Sequence, residues 1–179
     1  MSNPQNQPQY QIRFDWGVDG AQAITEGAHI LVWVDALKTQ FAADPRLIEH
    51  NGLLVEGTVG GAEALAHWVL ARQVEVGDRV TVAVVAAGSD EGRFAVEDLL
   101  AAGAVIDALA EVGIDYISPE AAAAVGAYAG LRNATGHVLS ACVTGQQIID
   151  REGRAAVEQA REANSQPRVT VLRELALAR

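Results

Sequence analysis

The chain has 179 residues, 13 of them basic and 23 acidic, for a formal net charge of −10, so its surface offers little to neutralise phosphates and nucleic acid is excluded as an expected partner. Half of the residues are apolar but only 5% are aromatic, which leaves a core of Ala, Val, Leu and Ile, the composition of helices packed on a Val-rich sheet. No apolar run approaches the ~20 residues of a membrane span, and the opening MSNPQNQPQ has neither the basic nor the apolar region of a secretion signal, so a cytoplasmic protein with no membrane contact is expected.

Residues 1–9 are polar and rich in Pro and Gln, which predicts a disordered arm ahead of a single α/β domain over 10–179. Tyr10, Ile12, Phe14 and Trp16 alternate with polar residues, the period of a half-buried strand. Asp19 then heads a short helix through Ile24. His29 to Val34 is continuously apolar, as a strand buried on both faces should be, and it ends on Asp35. Ala36 to Phe41 reads as a helix start that Asp44-Pro45 closes. Gly52 to Glu56 is a third strand candidate. The glycines Gly57, Gly60 and Gly61 follow it, out of register with a dinucleotide fingerprint, so close packing is their expected role. Ala62 to Gln73 is an amphipathic helix.

The run from Arg79 to Leu109 organises the chain. Val80, Val82, Val84 and Val85 form a buried strand; Gly88, Ser89, Asp90 and Gly92 break it; and Val96, Leu99, Leu100, Gly103, Val105 and Ile106 recur at helical spacing behind Glu97 and Asp98. Gly113 to Ile117 is a short apolar piece. Ser118-Pro119 opens an alanine-rich helix in the residue order of an N-cap followed by Pro at the first turn. Asn133 to Cys142 reads as helical, Thr144 and Gln147 have the residue types of a capping box, Gly153 to about Ala163 is a charged helix, and 168–173 is a last strand. Strands that alternate with helices predict a three-layer α/β/α fold on a mainly parallel or mixed sheet.

In such sheets, ligands bind in the crevice beyond the carboxyl ends of the strands. The acids at or near those ends are Asp15, Asp35, Asp90, Glu91, Glu97 and Asp98. Oxygen ligands suit Mg²⁺, which commonly needs only one or two carboxylates beside phosphate oxygens and water. Arg93 and the loop amides from Gly88 to Gly92 are candidate anion holders. A bland alternative stands beside this one, because acids in a first helical turn favour the helix dipole and a strand-end Asp can be a helix cap. The four histidines show no ligand spacing, Cys142 is alone, and no serine sits in a hydrolase pattern.

Phe14 to Gly17 (FDWG), Val32 to Leu37 (VWVDAL), Ala86 to Leu109, Ser118 to Val125, Leu139 to Arg151 (LSACVTGQQIIDR) and Val169 to Glu174 together resemble the 2-phosphosulfolactate phosphatase family. Most of that resemblance lies in the glycine loop followed by Val96-Glu97-Asp98 and Ala102-Gly103-Ala104. It implies an Mg²⁺-dependent phosphatase acting on a small anionic phosphate ester in a route to coenzyme M. Asp35, Lys38, Glu97 and Asp98 would be catalytic, with Asp35, Glu97 and Asp98 on the metal and Gly88, Ser89 and Arg93 on the substrate. The chain is shorter than such relatives between Lys38 and Gly52, has glycines where they carry an Arg and an Asn, and has Lys38 where many have Arg. These departures set out an alternative, a catalytically weakened or inactive member serving as a binding or assembly module. Apolar surface uncovered by the shortened section predicts a homodimer.

Overall fold

The computed structural model describes residues 3–89 and 93–174. Strands β1 (Ile12–Trp16), β2 (Ile30–Val34), β3 (Leu53–Gly57) and β4 (Val82–Ala86) run parallel, and β5 (Thr170–Arg173) closes the sheet antiparallel to β3, in the order β1-β4-β2-β3-β5. Trp16 and Val34 both pair with Ala86, and Val34 pairs with Gly57. The four parallel strands therefore end level, and the loops that leave them share one rim.

Alternation along the strands fixes the layers. Ile30, Val32, Val34, Val55, Val82 and Val84 point into the larger core, beneath helices α2 (Ala62–Val76), α3 (Val96–Glu111) and α4 (Pro119–Leu131). Leu31, Trp33, Leu54, Ala83 and Val85 point to the other face, where Ala21 and Ile24 of α1 (Gly17–Ile24) cover them. A three-layer α/β/α arrangement on a mixed, mostly parallel sheet results, as the alternation of elements predicts. Three further helices, α5 (Thr135–Ala141), α6 (Val143–Glu152) and α7 (Arg154–Asn164), form a small cluster of their own. Leu139, Cys142, Ile148 and Val157 from that cluster bury Ala36 and Leu37, the residues that leave β2. The helices are thus seated over the rim.

Gly103 explains part of the most recognisable sequence block. A Cβ there would overlap the Ala124 carbonyl oxygen and lie 2.7 Å from Tyr128 Cβ, so α3 and α4 meet at backbone distance only because the residue is glycine. Gly60 and Gly61 serve likewise: a Cβ on either would collide with the backbone of Ser165 or Arg168 as the chain leaves α7. Close packing is their role, as their spacing suggests.

Several local expectations are corrected. Ala36 to Phe41 is not helical, because burial of Ala36 and Leu37 under α5–α7 outweighs their helix propensity. The first helix starts at Gly17, at φ 62°, directly after β1 and without a side-chain cap from Asp19. The cap of α6 is Cys142, whose extended backbone lets its Sγ accept from the Gly145 N–H at 3.3 Å, in place of Thr144. Near the start of the described residues, Gln7 mimics a strand residue: its Nε2 donates to the Phe14 carbonyl at 2.8 Å and its Oε1 accepts from the Phe14 N–H at 3.0 Å. Its amide replaces apolar burial as the tether. Ser118 does cap α4, accepting from the Ala121 N–H at 3.1 Å.

Candidate functional site

The rim carries two adjoining clefts of opposite character that share Ser89. One, of about 300 Å³, is lined by Trp16, Gly17, Asp19, Asp35, Phe41 and Gly88 among others, and its charged residues are the two aspartates. The other, of about 390 Å³, lies between the loop before α3 and the start of α6, and its walls include Ser89, Arg93, Glu97, Cys142, Thr144 and Arg151. Its charged residues are Arg93, Arg151 and the buried Glu97, and the N-terminus of the ten-residue α6 adds the positive end of a helix dipole. Arg151 has no place among the candidate residues read from sequence. It arrives from the last turn of α6, and only its position at the end of the LSACVTGQQIIDR block marked the segment.

Asp98 lies between the ends of two strands. It is 2% exposed, its Oδ1 accepts from the Ala36 N–H at 2.8 Å, and its Oδ2 accepts from the Gly88 N–H at 2.9 Å. One carboxyl group therefore braces the exits of β2 and β4. Burial pushes its pKa well above the usual carboxylate range; the Ala36 N–H opposes this, the Asp35 and Glu97 charges add to it, and the Gly88 N–H opposes it. The Ala36 carbonyl in turn accepts from Asn164 Nδ2 at 2.7 Å, and the Asn164 carbonyl accepts from the Gly60 N–H at 2.8 Å, so the end of α7 is tied to the exits of β2 and β3. Asn164 Oδ1 is buried with no hydrogen-bond partner among the described residues.

The predicted acids are divided by this arrangement. Asp35, half-buried, opens on the acidic cleft, and Glu97, 4% exposed, lines the basic one. Among the described residues no three His, Cys, Asp or Glu side chains are grouped to hold a metal ion. A three-carboxylate holder made of Asp35, Glu97 and Asp98 is thus corrected, because the Asp98 oxygens are engaged by backbone N–H groups. Lys38 lies elsewhere on the rim. It is ion-paired with Glu56 in a third cleft with Asp35, Thr58 and Arg168, apart from Arg93 and Arg151.

The expected cradle of loop amides is narrower than its glycines suggest. The Gly88 N–H is given to Asp98 and the Ser89 N–H to the Arg93 carbonyl at 3.0 Å, and Gly88 sits at φ 76°, where glycine is needed to make the turn. Asp90, Glu91 and Gly92 lie outside the described residues. Cys142 is no nucleophile: burial pushes its thiol up to about 12, and its Sγ is held between the Leu139 carbonyl and the Gly145 N–H. His29 accepts the Thr81 N–H through Nδ1 at 3.0 Å and His50 is buried, roles of structure rather than ligation.

A sequence profile described as 2-phosphosulpholactate phosphatase matches residues 54–174, from β3 through β5. No curated protein matches the chain.

Proposed function

The chain belongs to the 2-phosphosulpholactate phosphatase family, and from that premise we propose that it hydrolyses a small anionic phosphate monoester with the help of Mg²⁺. The observation that carries the reading is the pairing of a basic and an acidic cleft about Ser89, on the rim where four parallel strands end level, in a chain of net charge −10. Phosphoryl oxygens fit the basic cleft, where Arg93 and Arg151 neutralise their charge and the Ser89 and Thr144 hydroxyls donate to them. Asp35 would hold Mg²⁺, which when bound supplies further charge neutralisation to those oxygens. Glu97 lies in the same wall and is the carboxyl group to exchange a proton with the reacting oxygens. Asp98 acts through the backbone: it fixes the exits that carry Asp35 and Ser89.

Hydrolysis forms a bond from water oxygen to phosphorus and breaks the ester P–O bond; water gives up one proton and the departing oxygen gains one. Purified protein assayed with Mg²⁺ on phosphomonoesters, including 2-phosphosulfolactate, should exceed an Asp35→Ala control, and equal rates would reject the proposal. Two observations favour a second reading, a weakened member that binds without turnover: the Gly88 and Ser89 amides are engaged within the chain, and Lys38 is paired with Glu56. Thermal melting with added Mg²⁺ probes binding directly, since a ligand of the folded state alone raises the Tm. A homodimer is part of the same proposal, supported by Phe41 and Leu47, 62% and 83% exposed within the shortened section. Sedimentation at micromolar concentration should find two copies, and monomer alone would remove that element.

A further inference from the structure

Phe94 is an exposed ring that the fold holds in place. It is 66% exposed, yet its ring centre lies 5.4 Å from that of Trp16, and Trp16 meets Phe14, a residue of the larger core, edge-on at 5.7 Å. The core thus steadies a ring that would otherwise turn freely in solvent. Val143, the first residue of α6, is equally exposed. Scattered surface hydrocarbon carries no meaning, but these two side chains line one cleft, the same that holds Arg93 and Arg151. Phe94 directly follows Arg93 on the loop before α3, and Val143 directly precedes Thr144 on α6. Each wall therefore sets an apolar surface next to a donor for phosphate. At about 390 Å³ the cleft exceeds the ~150 Å³ cavity that admits benzene, which leaves space for a ring beside the phosphoryl oxygens.

We infer that Phe94 and Val143 clamp the organic group of the monoester within this one cleft, and that the group is flat and unsaturated, so that the substrates are aryl phosphates. The inference rests on the phosphatase reading above and names the substrate class for it. With the phosphoryl group against Arg93, Arg151 and Thr144, an aromatic alcohol carries its ring between the two apolar surfaces, offset-stacked or edge-on to Phe94. A short carboxylate chain makes no such contact and leaves Phe94 and Val143 in water. Phe94 touches the group that departs, so it selects the substrate and takes no part in the proton transfers.

Phosphonates separate this contact from turnover. Phenylphosphonate and methylphosphonate carry the same anionic group with and without a ring, and neither has an ester bond to hydrolyse. Calorimetry in the presence of Mg²⁺ should find phenylphosphonate bound at least about fivefold more tightly by wild type, the preference that one stacked ring confers. Phe94→Ala should bring the two ligands to equal affinity. Phe94→Tyr, which keeps the ring, should retain the difference, and circular dichroism checks the fold of both variants. A preference that survives Phe94→Ala would overturn the inference; if that variant also sediments as monomer from a wild-type dimer, the ring belongs to a subunit contact. Equal binding of both phosphonates by wild type overturns the clamp and leaves the phosphatase reading standing. Binding of neither overturns the clamp together with the phosphate site beneath it.

Discussion

Replacing Asp98 with alanine removes the acceptor that two strand exits share. The Ala36 and Gly88 N–H groups, held at 2.8 and 2.9 Å, lose their partner, and a buried donor left unsatisfied costs about 1–3 kcal/mol. Two of them amount to about 4 kcal/mol, a large part of the ~5–15 kcal/mol by which domains are stable. For a chain of this size each kcal/mol moves the melting temperature by about 2–4 °C, so Asp98→Ala should melt roughly 8–16 °C below wild type. Asp98→Asn keeps one acceptor and should lose about half as much. The pH dependence has a definite sign. Burial raises the folded-state pKa of Asp98, so the stability linked to it is complete below its ordinary value and is lost as pH rises through the folded one. The deficit of Asp98→Ala should accordingly narrow toward alkaline pH. Circular-dichroism melts of the three proteins across acid to alkaline buffers read all of this. An alanine variant that melts within about 2 °C of wild type yet loses phosphatase activity would refute the reasoning, because the carboxyl group would then act on metal or substrate and not as a brace.

Gly103→Ala should force α3 from α4, since its Cβ would meet the Ala124 carbonyl and Tyr128 Cβ; overpacking of this kind costs about 1–3 kcal/mol, readable as a lower denaturation midpoint, and an unchanged midpoint would show that the helices separate freely. His50 supplies a second pH signal. Burial first, then the Arg173 charge, lowers its pKa from 6.5 to about 4, against the Leu53 backbone hydrogen bond and with a small contribution from His29. The unfolded chain takes up that proton first, so stability is complete above the ordinary histidine value and falls as pH drops through the window below it, by about 3 kcal/mol at most. His50→Gln should flatten the acid limb of a Tm-against-pH curve, and an identical limb would place the titrating group elsewhere.

The sheet is legible because each central strand is a β-branched run buried on both faces, as in Val82 to Ala86, and no tertiary contact competes with that pattern. Ala36 to Phe41 misleads for the opposite reason. Its helix-friendly residues are pulled into the α5–α7 cluster, and the Ala36 peptide gives both its groups to Asp98 and Asn164. A carboxyl group next to a glycine loop reads equally well as ligand or brace, and only the two N–H bonds on Asp98 decide for the latter. Asp35, Ser89, Arg93 and Glu97 are legible as candidates from their places at strand ends and helix starts. Arg151 is not, because it reaches the cleft from a helix far along the chain, and no spacing in the sequence encodes which face of α6 turns toward Arg93.

Titration of inorganic phosphate, the product of the proposed reaction, followed by calorimetry, goes to the basic cleft most directly. Wild type should bind one phosphate per chain, and Arg93→Ala with Arg151→Ala should weaken that binding by at least about a hundredfold, the loss of two charge-assisted donors at about 1.5–3 kcal/mol each. Equal affinity in the wild type and the double variant would contradict the assignment of these two arginines to the phosphoryl group.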